Sequence, residues 1–201
     1  MVFVSELSLP PVDRREAMGY MGVCRASGDD ERLLSRAEGE LLPELTPRLC
    51  YTECGVTVDG DLVTVGNIKW HSSGLARRLA GATRVVIFVA TVGVAVDRLV
   101  GKYSRLSPSV ALAVSALGSE RVEALCDEFC NRLATEKGEG VRVYQRFSPG
   151  YGDLPLEVQR DIFALLSPER AIGVTLGDGL LMSPTKSVSA IIGISEKGEE
   201  K

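Results

Sequence analysis

Apolar and polar positions alternate from residue 2 to residue 8, as they do in a strand with one face buried. The period then changes. Residues 13–20 predict a short helix, and Glu31 to about Leu42 a longer one. Pro43 disturbs its end, because proline lacks the N–H and its ring crowds the preceding turn. Cys50–Val58 and Asp61–Val65 read as a hairpin around Asp59-Gly60, a dipeptide suited to the left-handed angles of a tight turn. Ser72 or Ser73 offers a hydroxyl to cap a helix that carries Leu75 and Leu79.

Residues 84–90 contain the run Val-Val-Ile-Phe-Val-Ala, a strand buried on both faces. Thr91-Val92-Gly93 then opens a helix holding Val96, Leu99 and Val100. A strand, a glycine and a helix invite a nucleotide-binding reading, and a helix N-terminus there could attract an anion. The full G-x-G-x-x-G pattern is missing, so tight packing of the turn is the better account. Pro108 suits the first position of a helix after Ser107. That helix extends to about Ala134, with an interruption or kink expected near Gly118-Ser119. Its stripe of Ala113, Ala116, Val122, Leu125, Cys126, Phe129 and Leu133 recurs at helical spacing and marks a core face. Val141–Arg146 alternates as a strand, and Leu156–Leu166 is helical with Arg160 and Asp161 outward. Ala171–Thr175 and Val188–Ile194 are further strands, and a charged, frayed tail is expected from Glu196.

These elements, without a repeat or long linker, predict one α+β domain over residues 1–195: a twisted, antiparallel or mixed sheet with helices against it. The 201 residues are enough for a substantial core. Net charge is −4, with no basic stripe interleaved with aromatics, which argues against nucleic acid as a partner. No apolar run approaches the roughly 18 residues of a membrane span, and residues 1–9 lack the plan of a signal peptide, so the expected compartment is the cytoplasm. Five cysteines fit a reduced compartment. Cys50/Cys54 and Cys126/Cys130 are C-x-x-x-C pairs, whereas zinc sites favour C-x-x-C, so they read first as small core residues. The single histidine, His71, reads as a surface residue before a helix. With no G-x-S-x-G motif either, nothing points to a hydrolytic triad, and no catalytic or metal-binding residue is assigned.

The chemistry concentrates in residues 146–151, Arg-Phe-Ser-Pro-Gly-Tyr. Arg146 can grip a carboxylate through two parallel hydrogen bonds. Pro149 stiffens the turn and holds Ser148 extended. Gly150 lets the backbone reverse close to a ligand, and Tyr151 can lay its ring against a cation. A small molecule with both a carboxylate and a sulfonium suits this set, and S-adenosylmethionine has both.

This R-x-x-P-G-Y segment, followed by the helix ending at Leu165-Leu166 and by Gly173, Leu176, Met182, Pro184, Ser187, Val188 and Ser189, resembles the activation domain of cobalamin-dependent methionine synthase. The resemblance implies a C-shaped fold with a ligand groove along the sheet edge. It also implies S-adenosylmethionine held by Arg146 (carboxylate), by Pro149, Gly150 and Tyr151 (sulfonium end), and by Glu123 (amino group). Asp127, four residues on, is the alternate for the amino group. Met182 reads as packing, and Ser187 and Ser189 as residues that satisfy backbone or shape the groove.

Two departures stand out. The acidic, aromatic-rich opening of the family's domain is not found near the N-terminus. Ala190-Ile191-Ile192 replaces the aromatics that follow Ser-Val-Ser. The implied function is reactivation of a cobalamin-binding methionine synthase or related corrinoid protein, with a flavodoxin or ferredoxin supplying the electron. The alternative is a docking or switching module that no longer binds S-adenosylmethionine. An ordinary S-adenosylmethionine-dependent methyltransferase is a third reading, for which only Thr91-Val92-Gly93 is available.

Overall fold

The computed structural model describes residues 1–196. Its elements are β1 (Phe3–Ser5), α1 (Arg14–Tyr20), α2 (Gly28–Leu41), a single 3₁₀ turn (Leu42–Glu44), β2 (Arg48–Asp59), β3 (Leu62–Val65), β4 (Ile68–His71) and α3 (Ser73–Arg78). Then come β5 (Arg84–Thr91), α4 (Ala95–Leu106), α5 (Pro108–Lys137), β6 (Val141–Val143), α6 (Val158–Leu166), α7 (Pro168–Ile172), β7 (Thr175–Leu176), β8 (Met182–Ser183) and β9 (Ser187–Glu196). Seven strands form one antiparallel sheet in the order β4-β3-β2-β5-β9-β6, with β1 added against β2; β7 and β8 pair apart from it.

The central strand β5 explains the layering. Successive side chains of a strand point to opposite faces. Val86, Phe88 and Ala90 therefore enter one core, with α1, α2, α4 and α5, while Val85, Ile87 and Val89 enter the other, with α3, α6 and α7. Phe88 is fully buried and meets Phe129 of α5 edge to face at 5.1 Å. Tyr51 and Phe3 continue this aromatic row towards β1. Each such pair adds about 0.5–1.5 kcal/mol beyond its buried area.

Several boundaries differ from the sequence expectation for physical reasons. The first strand shortens to Phe3–Ser5, because Leu7, Leu9 and Val12 leave the alternation to pack on the helical core. Helix α2 starts earlier, where Ser27 and Asp30 cap one another's backbone reciprocally. Gly66 and Asn67 form a second tight turn, so β4 precedes α3, with His71 exposed at its end and Ser72 as the cap. The strand expected at 141–146 ends at Val143, and Phe147 makes an isolated bridge to Ile191. The strand expected at 171–175 divides: Ala171 and Ile172 end the short helix α7, and only Thr175 enters a strand, β7. Asp161 does not point outward: it accepts a 2.8 Å hydrogen bond from the Trp70 indole, linking α6 to β4. The expected tail lies, apart from Glu196 at the end of β9, outside the described residues.

Helix α5 is continuous for 30 residues, without the interruption expected near Gly118. Gly118 is a contact site: a Cβ there would stand 2.8 Å from Val96 Cγ2, so glycine lets α4 and α5 approach closely. Gly93 supports the tight-turn reading of Thr91-Val92-Gly93. Its φ is +91° and a Cβ would meet the Thr46 side chain.

Candidate functional site

Strand β9 places the site. Its C-terminal part is covered by β6 at Ile194–Glu196, and Phe147 exchanges two backbone hydrogen bonds with Ile191 (2.8 and 2.9 Å). Beyond that point Ser187–Ser189 pair only with β5, and the other edge of β9 stays open. The segment 146–151 passes this open edge and encloses a cavity of about 390 Å³.

Four of the five sequence-predicted ligand residues line that cavity: Arg146, Pro149, Tyr151 and Glu123. Met182, Ser187 and Ser189 line it as well. Gly150 does not. It is exposed in the turn with φ +87°, and its N–H donates to the Leu154 carbonyl at 2.9 Å, which closes the turn. Tyr151 is 69% exposed, so its ring is free at the mouth. Asp127 faces a neighbouring hollow on the other side of Arg146.

The loop is held at both ends. Phe147 fixes the start, as described. At the far end Asp153 accepts hydrogen bonds from the Ser72 hydroxyl (2.6 Å), the Ser73 N–H and hydroxyl (2.7 and 2.8 Å) and the Gly74 N–H (3.0 Å). The Ser72 and Ser73 hydroxyls, followed by the Gly74 amide, hold its carboxyl well below the usual range. A depressed carboxyl pKa contributes stability above the unfolded-state value of about 3.9, and that stability is lost as pH falls below it. Wild type is therefore expected to lose more stability between pH 6 and pH 3 than an Asp153→Asn variant, read from urea midpoints at the two pH values. Equal losses would show that this latch is not linked to folding.

Arg146 is not a free cation. Its guanidinium donates to Glu123 at 2.5 Å through one terminal nitrogen and to Asp127 through the other. Burial opposes its charge and is the largest single influence, but Cys126, Asp127 and Glu123 outweigh it, and its pKa moves upward. Glu123 and Asp127, two candidates for one role, are thus gathered by the residue expected to act beside them.

The cysteines read as packing. Cys50 lies in one core and Cys126 in the other, on opposite faces of the sheet, so the two pairs do not converge. Burial pushes the Cys50 thiol up to about 11 and Cys126 further still, which keeps both protonated at neutral pH.

The structure adds residues that sequence reasoning missed. Gln159 and Ser189 are 6% and 2% exposed and line the cavity. Among the described residues their side-chain oxygens, Oε1 and Oγ, have no hydrogen-bond partner. Gln159 carried a legible signal: with Ile162 and Leu166 it falls on the apolar stripe of α6, where a polar side chain is out of place. Arg78 of α3 also lines the cavity, and no pattern announced it. Tyr20, at the end of α1, lies near enough to Glu123 and Tyr151 for their charges to act on its hydroxyl. Burial is the main cause that pushes it up to about 12. Ala190, Ile191 and Ile192, which follow Ser-Val-Ser, are fully buried in the sheet.

The sequence model of the vitamin B12 dependent methionine synthase activation domain matches residues 80–200. The chain belongs to this family. The match spans β5 through β9, and so includes α5, the 146–151 loop and the open edge that enclose the cavity. No curated protein matches. Among solved structures the chain is similar to the MetH reactivation domain bound to AdoHcy, with a TM-score of 0.73 and 18% identity over 100% of this chain and 80% of that one. At that identity the likeness establishes a shared fold. It extends the activation-domain architecture to residues 1–79, which the family match leaves out.

Proposed function

We propose that this activation domain binds S-adenosylmethionine in the 146–151 cavity and caps the cobalamin module of a methionine synthase, or a related corrinoid protein, for reductive methylation of cob(II)alamin. The observation that carries this reading is the pair of buried, partnerless oxygens on the cavity wall, Gln159 Oε1 and Ser189 Oγ. A buried polar atom without a partner costs about 1–3 kcal/mol, and such groups are rare unless something fills their need. A docking module that had lost its ligand would have no use for them.

The remaining residues fit the same ligand. Pockets of about 300–1,000 Å³ suit cofactor-sized molecules, and this cavity falls in that range at about 390 Å³. Glu123 faces the ligand's ammonium, and Arg146 offers its remaining N–H groups to the carboxylate. Pro149 and Gly150 shape the wall, and the free Tyr151 ring covers the sulfonium. The similar reactivation domain was solved with AdoHcy, which differs from S-adenosylmethionine by one methyl and its positive charge.

In this mechanism the chain performs no proton transfer. Cobalamin, held by the partner, would supply the metal centre for methyl transfer, with a flavodoxin or ferredoxin as the source of the electron and S-adenosylhomocysteine as the leaving product. The chain's residues fix the sulfonium at the mouth, orient its methyl outward and exclude water while the partner is docked. The compartment proposed for this system is the cytoplasm.

The test is a reconstitution with a purified corrinoid partner in its cob(II)alamin form, an electron donor and methyl-labelled S-adenosylmethionine. The expected result is label in the corrinoid fraction only when the chain is present, strongly reduced by Gln159→Leu. Transfer that does not depend on the chain would overturn the reading.

A further inference from the structure

The amino-acid end of the proposed ligand has two opposite charges, and the structure supplies unequal partners for them. Arg146 is already bonded to two carboxylates, so Arg146, Glu123 and Asp127 together carry a net charge of −1. That cluster attracts an ammonium and repels a second carboxylate. The spare N–H groups of Arg146 can add a hydrogen bond, but they bring no uncompensated positive charge.

Arg78 does. It is exposed and lines the same cavity. Among the described residues its side chain has one hydrogen-bond partner, the neutral Gln145 Oε1 at 2.5 Å, and no carboxylate within ion-pair distance. Its position is registered to the ligand loop, because Asp153 at the end of that loop holds Ser72, Ser73 and Gly74 at the start of α3, and Arg78 is the last residue of that helix. Phe147, Arg78 and Asp153 line one adjoining hollow, and Asp153 is committed to the start of α3.

We infer that Arg78 clamps the carboxylate of the ligand, with Glu123 on the ammonium, so that the amino-acid end is held between a free arginine and an arginine-braced acid. The inference rests on the S-adenosylmethionine reading of the cavity and adds a specificity-determining residue to it. A guanidinium meets a carboxylate through two parallel hydrogen bonds, which a lysine cannot reproduce. Arg78 therefore selects ligands that retain the carboxylate.

The experiment titrates wild type, Arg78→Met and Arg78→Lys with two probes. These are S-adenosylmethionine and decarboxylated S-adenosylmethionine, which keeps the sulfonium and ammonium but lacks the carboxylate. Wild type should bind the intact molecule at least about 10-fold more tightly, in line with one charge-assisted hydrogen-bonded contact. Arg78→Met should lose that preference while binding the decarboxylated probe as wild type does, and Arg78→Lys should recover part of it. Melting temperatures should be unchanged, because the side chain is exposed. If Arg78→Met keeps the full preference, or weakens both probes equally, the role of Arg78 is overturned and the cavity reading stands. If wild type binds neither probe, with or without the corrinoid partner, the cavity reading fails and this inference goes with it.

Discussion

Replacing Arg121 by methionine is expected to lower the unfolding free energy by about 3–5 kcal/mol, the usual cost of stranding one half of a buried ion pair. Arg121 and Glu120 are adjacent on α5, and their side chains are only 3% and 2% exposed. Arg121 also donates to the carbonyls of Pro10 and Pro11 (2.6 and 3.2 Å), and Glu120 accepts the Asp13 N–H at 3.0 Å. The pair therefore ties residues 10–13 to the middle of α5. A thioether in place of the guanidinium would leave the Glu120 carboxylate and two proline carbonyls poorly satisfied in a dry site. For a domain of this size the loss corresponds to a fall of roughly 6–20 °C in melting temperature. The matched control is Arg132→Met. Arg132 pairs with Glu136 at 2.7 Å but is 47% exposed, and its loss should cost at most about 0.5 kcal/mol. The double variant Glu120→Leu/Arg121→Leu removes both charges and should recover much of the loss. Urea denaturation of the three variants measures these differences. A cost below about 1 kcal/mol for Arg121→Met would show that the N-terminal segment is not held as described.

The second large effect is on the site itself. Arg146→Met is expected to weaken S-adenosylmethionine binding by about 10- to 100-fold, the range for losing hydrogen bonds to a charged group. Stability should change much less. Asp127 is 66% exposed and stays solvated without its partner, and Glu123 at 34% can turn to water. The unfolding free energy should fall by no more than about 1–2 kcal/mol. The loss of affinity follows from freeing Glu123: once released, it no longer has a fixed direction towards the ligand's ammonium. A variant that bound normally would show that Arg146 braces the fold and not the ligand. A variant that failed to fold would show that the triad is more deeply structural than its exposure implies. In that case Glu123→Gln, which keeps shape and hydrogen bonding, gives the cleaner comparison.

Much of the fold was legible because its strongest signals are local. The apolar run of β5 reads directly, since its β-branched residues are buried on both faces from Val85 to Thr91. The stripe on α5 and the Asp59-Gly60 turn are equally direct. Shorter elements depended on neighbours that the sequence does not display. β4 exists because Gly66-Asn67 turns the chain back onto β3, and its Trp70 needed Asp161, 91 positions away, to complete it. Gly118 looked like a break in a helix but is a place where α4 packs closely on α5.

The site shows the same division. Arg146, Pro149, Gly150 and Tyr151 were visible as a compact motif whose residue types already imply a charged ligand. Glu123 was visible only as one of two acids on a helix face. That Arg146 would bind both acids could not be read from spacing, because it depends on how β9 and α5 bring distant segments together. Gln159 left a trace as a polar residue on an apolar stripe. Arg78 left none, and its importance comes from a tertiary fact, the absence of a carboxylate near it among the described residues.

The most direct test of the central claim is an NMR titration of the isotopically labelled chain with S-adenosylmethionine, following backbone amides. The account predicts shifts confined to residues 146–151, the Ser187–Ser189 edge, the end of α3 around Arg78, the turn of α5 around Glu123 and the start of α6 around Gln159, with β3, β4 and the far end of α2 unmoved. No shifts at millimolar ligand, even with the corrinoid partner present, or shifts centred elsewhere on the sheet, would contradict it.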